Sequence, residues 1–452
     1  MFPGNAQTLP SYAVPKANTG RIPWGFPEIF VISQTALPAL LYLPGTQGFR
    51  LSLRVSAFAI SLAAFAWWLA QPNREPQHRA VPWLMAVMGL LGLMLFHPTT
   101  LSLPGGLAHA MVYFAVLSPI LWAPAFVKTP EHFARLAALL LICSGVNSLV
   151  GVLQVYDPGT YMPTELSRIV TDSALGLGPV SYIGPNGQVI VRPPGLFDTP
   201  GAVAGPGMFA ALLGAIFGLS AIPIWQRIGA FLLSGAGLAA IYLSQVRISL
   251  VICVLMIGLY GLLLLLQRRP AKAMVFGGLA GGVIALSFLV AFTLGGDSIS
   301  DRVMTLFSED PLSVYYRARG VQLDYTMSEM LFEYPLGAGL GRWGMAAGYF
   351  GTGSVPSIWA EIQITGWMID GGVPMLVLYG GALVATSYAE FRIARKMHLP
   401  RLAACGAVAF AANLGTAVMI ISFTPFVTQI GIQYWFFAGA LHGVVCAARA
   451  QD

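Results

Sequence analysis

The chain has 452 residues, of which 56% are hydrophobic and 9% charged, with a net charge of +6 and a mean hydropathy of +0.73. Soluble domains carry about 25% charged residues, so this composition excludes a water-soluble globular protein and points to a polytopic membrane protein. The positive balance lies in short basic connections between apolar runs, which is a topological signal rather than a nucleic-acid surface.

Residues 1–27 are polar, with Lys16 and Arg21, and read as a cytoplasmic segment ahead of a single polytopic domain over 28–450. The first apolar run begins too late and runs too long for a cleaved signal peptide, so it reads as a retained span. A helical crossing needs about 20 apolar residues. About twelve runs approach that length: 28–45, 52–71, 82–97, 106–126, 137–156, 201–221, 229–245, 248–266, 274–294, 358–390 with a glycine break, 402–423 and 427–447. The predicted fold is therefore all-α, with about twelve transmembrane helices.

When the spans alternate, Lys16/Arg21, Arg74/Arg79, Lys128/Arg135, Arg227, Arg268/Arg269/Lys272, Arg392/Arg395/Lys396/Arg401 and Arg449 fall on one side. Both termini are then expected in the cytoplasm. Arg50 and Arg54 break the pattern in the turn between the first two spans. Cys143, Cys253, Cys405 and Cys446 lie inside apolar runs without a CxxC spacing, which supports neither a disulfide framework nor a zinc site.

Two long segments, 157–200 and 295–357, face the outer side and keep aromatic and aliphatic residues, so they read as ordered and functional. At these segments or their membrane edge stand Arg192, Arg247, Arg302, Arg317, Arg319 and Arg342, on the side where arginine is costly without a partner. The guanidinium fork suits phosphate and carboxylate oxygens. Carboxylates such as Asp301, Glu309, Asp310, Asp324, Glu329 and Glu333 outnumber the arginines there, so ion-paired scaffolding competes with ligand binding.

Arg192 precedes Pro193-Pro194-Gly195-Leu196-Phe197-Asp198 and a small-residue span start (Gly201, Ala202, Ala204, Gly205, Gly207). A rigid leg and a slender helix leave room for a bulky ligand, with Asp198 as the competing local partner. Arg247, in Ser244-Gln245-Val246-Arg247, has no acidic residue within forty positions. Its partner must be distant, be a ligand, or be the interfacial water reached by snorkelling.

From Arg319, the spacing of Leu323, Met327, Met330 and Tyr334 predicts a surface helix with one apolar face. Pro335 stops it, and Gly337, Gly339 and Gly341 permit sharp turns. This layout can gather Arg317, Arg319 and Arg342. Ser357 reads as an N-cap that places Glu361 in the first turns of the returning span, with Thr365 on the same face. Glu361 is then a candidate general base or an ion-pair partner of Arg319 or Arg342. Both outer segments lack histidine, so a His mechanism requires His97 or His109 to reach in from the 98–105 turn. No metal cluster, nucleotide loop or Ser-His-Asp set is evident, and no cofactor is expected.

The order of these elements resembles the bacterial O-antigen ligase and O-antigen polymerase family of integral membrane glycosyltransferases. The resemblance rests on Arg192-Pro-Pro-Gly-Leu-Phe, Ser244-Gln-Val-Arg247, Arg319 leading into Tyr334-Pro-Leu-Gly-Ala-Gly-Leu-Gly341, and Gly371-Gly372-Val-Pro374, over about residues 135–390. It implies a GT-C-like fold in the bacterial inner membrane and metal-independent transfer from an undecaprenyl-pyrophosphate-linked glycan to an acceptor sugar hydroxyl in the periplasm. Glu361, Arg319 and Arg247 are then the catalytic candidates, and Arg192, Arg317, Arg342 and Arg302 the substrate-binding ones. A chain-length regulator is an expected partner. Ligases of this family carry His, often His-Asn, where this chain has Glu361-Ile362. That departure favours a polysaccharide polymerase over a ligase to lipid A core or to protein, with Asp370 as an alternative base. A transporter or lipid-glycan flippase is the rival from another class. Internal repeats and mid-span charges would mark one, and neither stands out here.

Overall fold

Apolar runs must satisfy every backbone group internally in a bilayer, and the helix is the local way to do so. Proline at the first turn and hydroxyl caps start several of them: Thr129 accepts from the His132 amide, and Ser102 from the Gly105 amide. The computed structural model describes residues 23–43, 45–72, 76–162, 181–183, 189–197, 199–244, 246–308, 310, 313, 315–351, 355–395 and 399–451.

In chain order the bundle contains α1 (Phe26–Tyr42), α2 (Arg50–Leu69), α3 (Val81–Met94), α4 (Leu103–Phe126), α5 (Pro130–Tyr156), α6 (Ala204–Gly218) and α7 (Ile224–Ser244). There follow α8 (Arg247–Leu266), α9 (Pro270–Ser308), an outer helix α10 over 316–333, α11 (Gly344–Phe350), α12 (Gln363–Ala394), α13 (Pro400–Val418) and α14 (Gln429–Gln451). Among the described residues nine helices are long and apolar enough to cross a membrane, which makes this a multi-pass membrane protein. Three shorter apolar helices, α1, α3 and α6, stand at the other three expected runs.

The all-α expectation holds for the bundle, with one short antiparallel hairpin, Ser181–Ile183 with Val189–Val191, in the 157–200 segment. Two expectations are corrected. The outer segment expected to begin at 295 is still helix there: α9 runs unbroken for 39 residues, about 58 Å at 1.5 Å per residue. The small residues that open α6 serve packing, not ligand access. A methyl on Gly207 would stand 2.8 Å from the Gly237 carbonyl oxygen of α7, and one on Gly205 would meet Ile430 of α14 at 2.9 Å.

On the basic face, buried Glu28 of α1 pairs with His132 and Arg135 of α5. On the opposite face Arg54 of α2 reaches the Tyr349 hydroxyl of α11 at 3.5 Å, so the arginine that broke the charge pattern lies beside the outer segment. The core between is continuous and rich in aromatics. Trp367 stacks on Tyr379 at 4.3 Å, and Phe426 and Trp435 close the cluster, joining α12 to α14.

Candidate functional site

The first wall of the site is the Pro193-Pro194-Gly195 leg, fixed by polar side chains of α5. Gln154 is fully buried; its Oε1 accepts from the Gly195 amide at 2.9 Å, and its Nε2 donates to the Gly195 carbonyl at 2.8 Å. Asn147 Oδ1 accepts from the Leu196 amide at 3.2 Å, and the Tyr42 hydroxyl donates to the Gly195 carbonyl. These bonds hold the residue just before the leg, Arg192, in place. Gly201 closes the turn at φ +71, and a methyl there would meet Val246 at 3.2 Å and Arg192 Nη2 at 3.4 Å. The Arg192 guanidinium therefore lies beside the α7–α8 junction, where α8 begins at Arg247.

The second wall is the outer segment. Residues 316–333 form one helical stretch containing two wide turns of π type, Tyr316–Gly320 and Thr326–Met330. Each wide turn rotates the helix face, because a π-type turn takes more than the usual residues per turn. The buried stripe is Gln322, Thr326 and Met330. The expected face of Leu323, Met327, Met330 and Tyr334 holds only at Met330; Met327 is exposed and Leu323 and Tyr334 are half-buried.

After Glu333 the chain turns at Pro335 and plugs into a break in α12. Gly371 and Gly372 are non-helical there, and their neighbours bond the turn: Val373 N–H donates to Pro335 O at 2.9 Å, and Ala338 N–H to Ile369 O at 2.7 Å. Gly372 has φ +61, and a methyl on it would fall 2.2 Å from Pro335 O. Directly before the break, fully buried Asp370 accepts on one oxygen from Tyr113 at 2.7 Å, from His109 at 3.0 Å and from the Trp343 indole at 3.0 Å. This brace ties α4, α12 and the outer segment together. The alternative base Asp370 thus lies in a buried brace, with its Oδ2 committed to three donors.

The two walls meet at Arg319. Its guanidinium pairs with Glu361, and its Nε donates to the Ser422 carbonyl in the α13–α14 turn at 3.3 Å. Both charged side chains remain about a third exposed, 37% for Arg319 and 31% for Glu361, so the pair opens to solvent. Burial lowers the basicity of Arg319, and the nearby positive charge of Arg192 lowers it further. Burial lowers that of Arg192 as well. Positive charge is therefore concentrated beside the Arg319–Glu361 pair, an arrangement that can receive an anion.

No family model matches the chain, and no curated protein matches it.

Glu361 is not in the first turn of α12, as the Ser357 cap predicted. The helix starts at Gln363, and Glu361 lies in the extended segment before it. The reason is a competing partner: Gln322 Oε1 takes the amides of Glu361 at 2.9 Å and Ile362 at 3.1 Å, while Gln322 Nε2 donates to the Trp359 carbonyl at 3.1 Å. Thr365 is turned inward, where its hydroxyl meets that of Thr326 at 2.6 Å.

The remaining arginines divide. Arg342 is buried, and its fork donates to the carbonyls of Ala338 at 3.1 Å and Pro356 at 3.1 and 3.2 Å, so it braces its own loop rather than joining Arg319. Arg317 is exposed at the entry to α10. The side chains of Arg247 and Arg302, and all of Asp198, lie outside the described residues; the backbone places Arg247 at the start of α8 and Arg302 in the outer part of α9.

Sequence reasoning missed Gln322, Gln154 and the His109–Asp370–Trp343 brace. One signal was available for the brace. A carboxylate within an apolar span demands a polar partner, and His109 and Tyr113, four residues apart on another span, offer one on a single face. A second buried carboxyl, Glu390, accepts from Asn413 Nδ2 at 2.6 Å near the basic end of α12, so the spans are less free of ionisable groups than expected.

Proposed function

We propose that the protein is a bacterial inner-membrane glycosyltransferase of the O-antigen ligase and polymerase type, with twelve crossings and both termini in the cytoplasm. In this reading it transfers an undecaprenyl-pyrophosphate-linked glycan to a sugar hydroxyl in the periplasm and acts as a polysaccharide polymerase. The observation that carries the reading is the solvent-open pair of Arg319 with Glu361 on the face opposite the basic connections, with Arg192 near enough to lower the basicity of Arg319.

Arg192 and Arg319, joined by Arg247 from the start of α8, hold the diphosphate and take up the charge that develops on it as the glycosidic bond breaks. Glu361 accepts the proton of the attacking acceptor hydroxyl. Attack and departure occur at the anomeric carbon, so the carrier leaves as undecaprenyl pyrophosphate and the acceptor chain grows. Arg342, bound to carbonyls, has a structural part instead.

The test is reconstitution in sealed proteoliposomes with purified lipid-linked oligosaccharide and a chelator of divalent metals. Products longer than the input support the reading. Transport of the lipid-linked glycan without new glycosidic bonds would support a flippase, and unchanged input with attachment to added lipid A core would support a ligase.

A further inference from the structure

The corner between α10 and the glycine-rich turn exposes hydrocarbon where a periplasmic loop should show polar groups. Phe332 is 79% exposed and Leu336 66%, on either side of Pro335. Two independent measures locate this corner relative to the bilayer. Along α12, the break at Gly372 that receives Pro335 lies twenty residues from the basic Arg392. Twenty residues of helix span about 30 Å, the thickness of the hydrocarbon core. Along α3, Leu90 packs against Gly371 at the break, while Leu93 and Phe96 continue outward and are 72% and 83% exposed. The corner is therefore no higher than the outer end of an apolar membrane helix.

Its exposed residues continue the lipid-facing stripe of α12 formed by Val373, Val377 and Val384. The backbone bonds of Val373 to Pro335 and of Ala338 to Ile369 fix it there. Exposed Glu333 and half-buried Tyr334 adjoin the corner and belong at headgroup level, which sets a shallow depth. Bonding of the turn into α12 also satisfies the backbone, the condition for irregular chain at membrane depth.

We propose that the corner Phe332–Leu336 is set into the outer edge of the bilayer hydrocarbon, with lipid acyl chains as its partner, so that the outer segment is a re-entrant element rather than a free loop. Arg319, at the other end of the same helix, is bonded to Ser422 in the turn between α13 and α14, so both ends of the helix are tied to the outer ends of membrane helices. The inference does not depend on glycosyl transfer.

The experiment is spin labelling of Leu336→Cys, Phe332→Cys and Ser328→Cys in the full chain, with the four native cysteines replaced, in nanodiscs of phosphatidylethanolamine and phosphatidylglycerol. Collision rates with oxygen and with a water-soluble nickel chelate are compared, and Leu93→Cys serves as the lipid reference. The expected result is oxygen preference at 336 and 332 resembling 93, and nickel preference at 328. Nickel preference at both 332 and 336 would overturn the proposal. If one of these two variants fails to accumulate, the label at the other position decides alone.

Discussion

Replacing Glu361 by Gln separates two tasks that the proposed function gives the wild-type carboxylate. Glu361 occupies Arg319, the guanidinium that the proposed diphosphate needs. With the two side chains 37% and 31% exposed, solvent screens the pair, and its contribution is roughly 0.5–1 kcal/mol. Removing that competition should tighten diphosphate binding about two- to fivefold. The same substitution removes the proton acceptor, which costs about 10²–10⁴ in the chemical step. The substitution keeps the side-chain shape, and the backbone amide of residue 361 still reaches Gln322. The assay is calorimetric titration of the nanodisc protein with undecaprenyl pyrophosphate, paired with single-turnover transfer. Tighter binding with slow transfer is the expected split. Equal transfer rates would remove Glu361 as the base. Weaker binding would show that the pair shapes the site instead of competing for it.

Arg319→Ala and Arg192→Ala should each abolish glycan extension while the protein still accumulates in the membrane, read by polymer length and immunoblot. Arg342→Ala should act differently: it removes the guanidinium bonds to the carbonyl of Ala338, which keeps the Thr99 hydroxyl as a donor, and to that of exposed Pro356, at about 1 kcal/mol each, and should lower thermal stability in detergent. Gly372→Ala drives a methyl toward Pro335 O and should release the corner from α12, seen as new protease cleavage near residues 333–341. His78, on the basic face, is held down to about 3 by burial, with His442 and Arg79 adding to it. A depressed His gives stability that is full above its ordinary value of 6.5 and is lost as pH falls from there toward about 3. His78→Asn should therefore flatten the fall in melting temperature between pH 6.5 and 4.5.

Much of the bundle was legible because burial in a bilayer leaves a segment few choices. Each expected apolar run coincides with an apolar helix, and the hidden detail lies at the ends. α9 overran its expected end because its polar continuation toward Ser308 contains no proline to stop it. The site was legible in part. Arg192, Arg319 and Glu361 stood out because charges are scarce in this chain, but their partners did not. Gln322, which displaces the start of α12, and His109, which reaches Asp370 from 261 positions away, act through tertiary contacts. Local spacing marks His109 and Tyr113 as one polar face but does not say which carboxylate they meet, and it does not mark Gln322 at all. The buried stripe of α10, Gln322, Thr326 and Met330, is polar at two of its three positions, so an apolar periodicity does not find it.

The charge at the site constrains what it can hold. Arg192 and Arg319 contribute two positive charges, and Glu361 returns one negative charge. The start of α8 beside Arg192 adds a helix N-terminus, equivalent to about half a positive charge. A neutral sugar would leave the two guanidinium groups in mutual repulsion. A carboxylate or single phosphate would relieve one of them and leave the other competing for Glu361. A diphosphate offers oxygens to both at once and permits Glu361 to leave Arg319, and only a departed Glu361 is free to accept a proton. Under the proposed function, occupation by the donor and readiness of the base are one event. Inorganic pyrophosphate should therefore inhibit transfer far more strongly than equimolar phosphate. Equal inhibition by the two ions would mean that the arginines do not act as a pair.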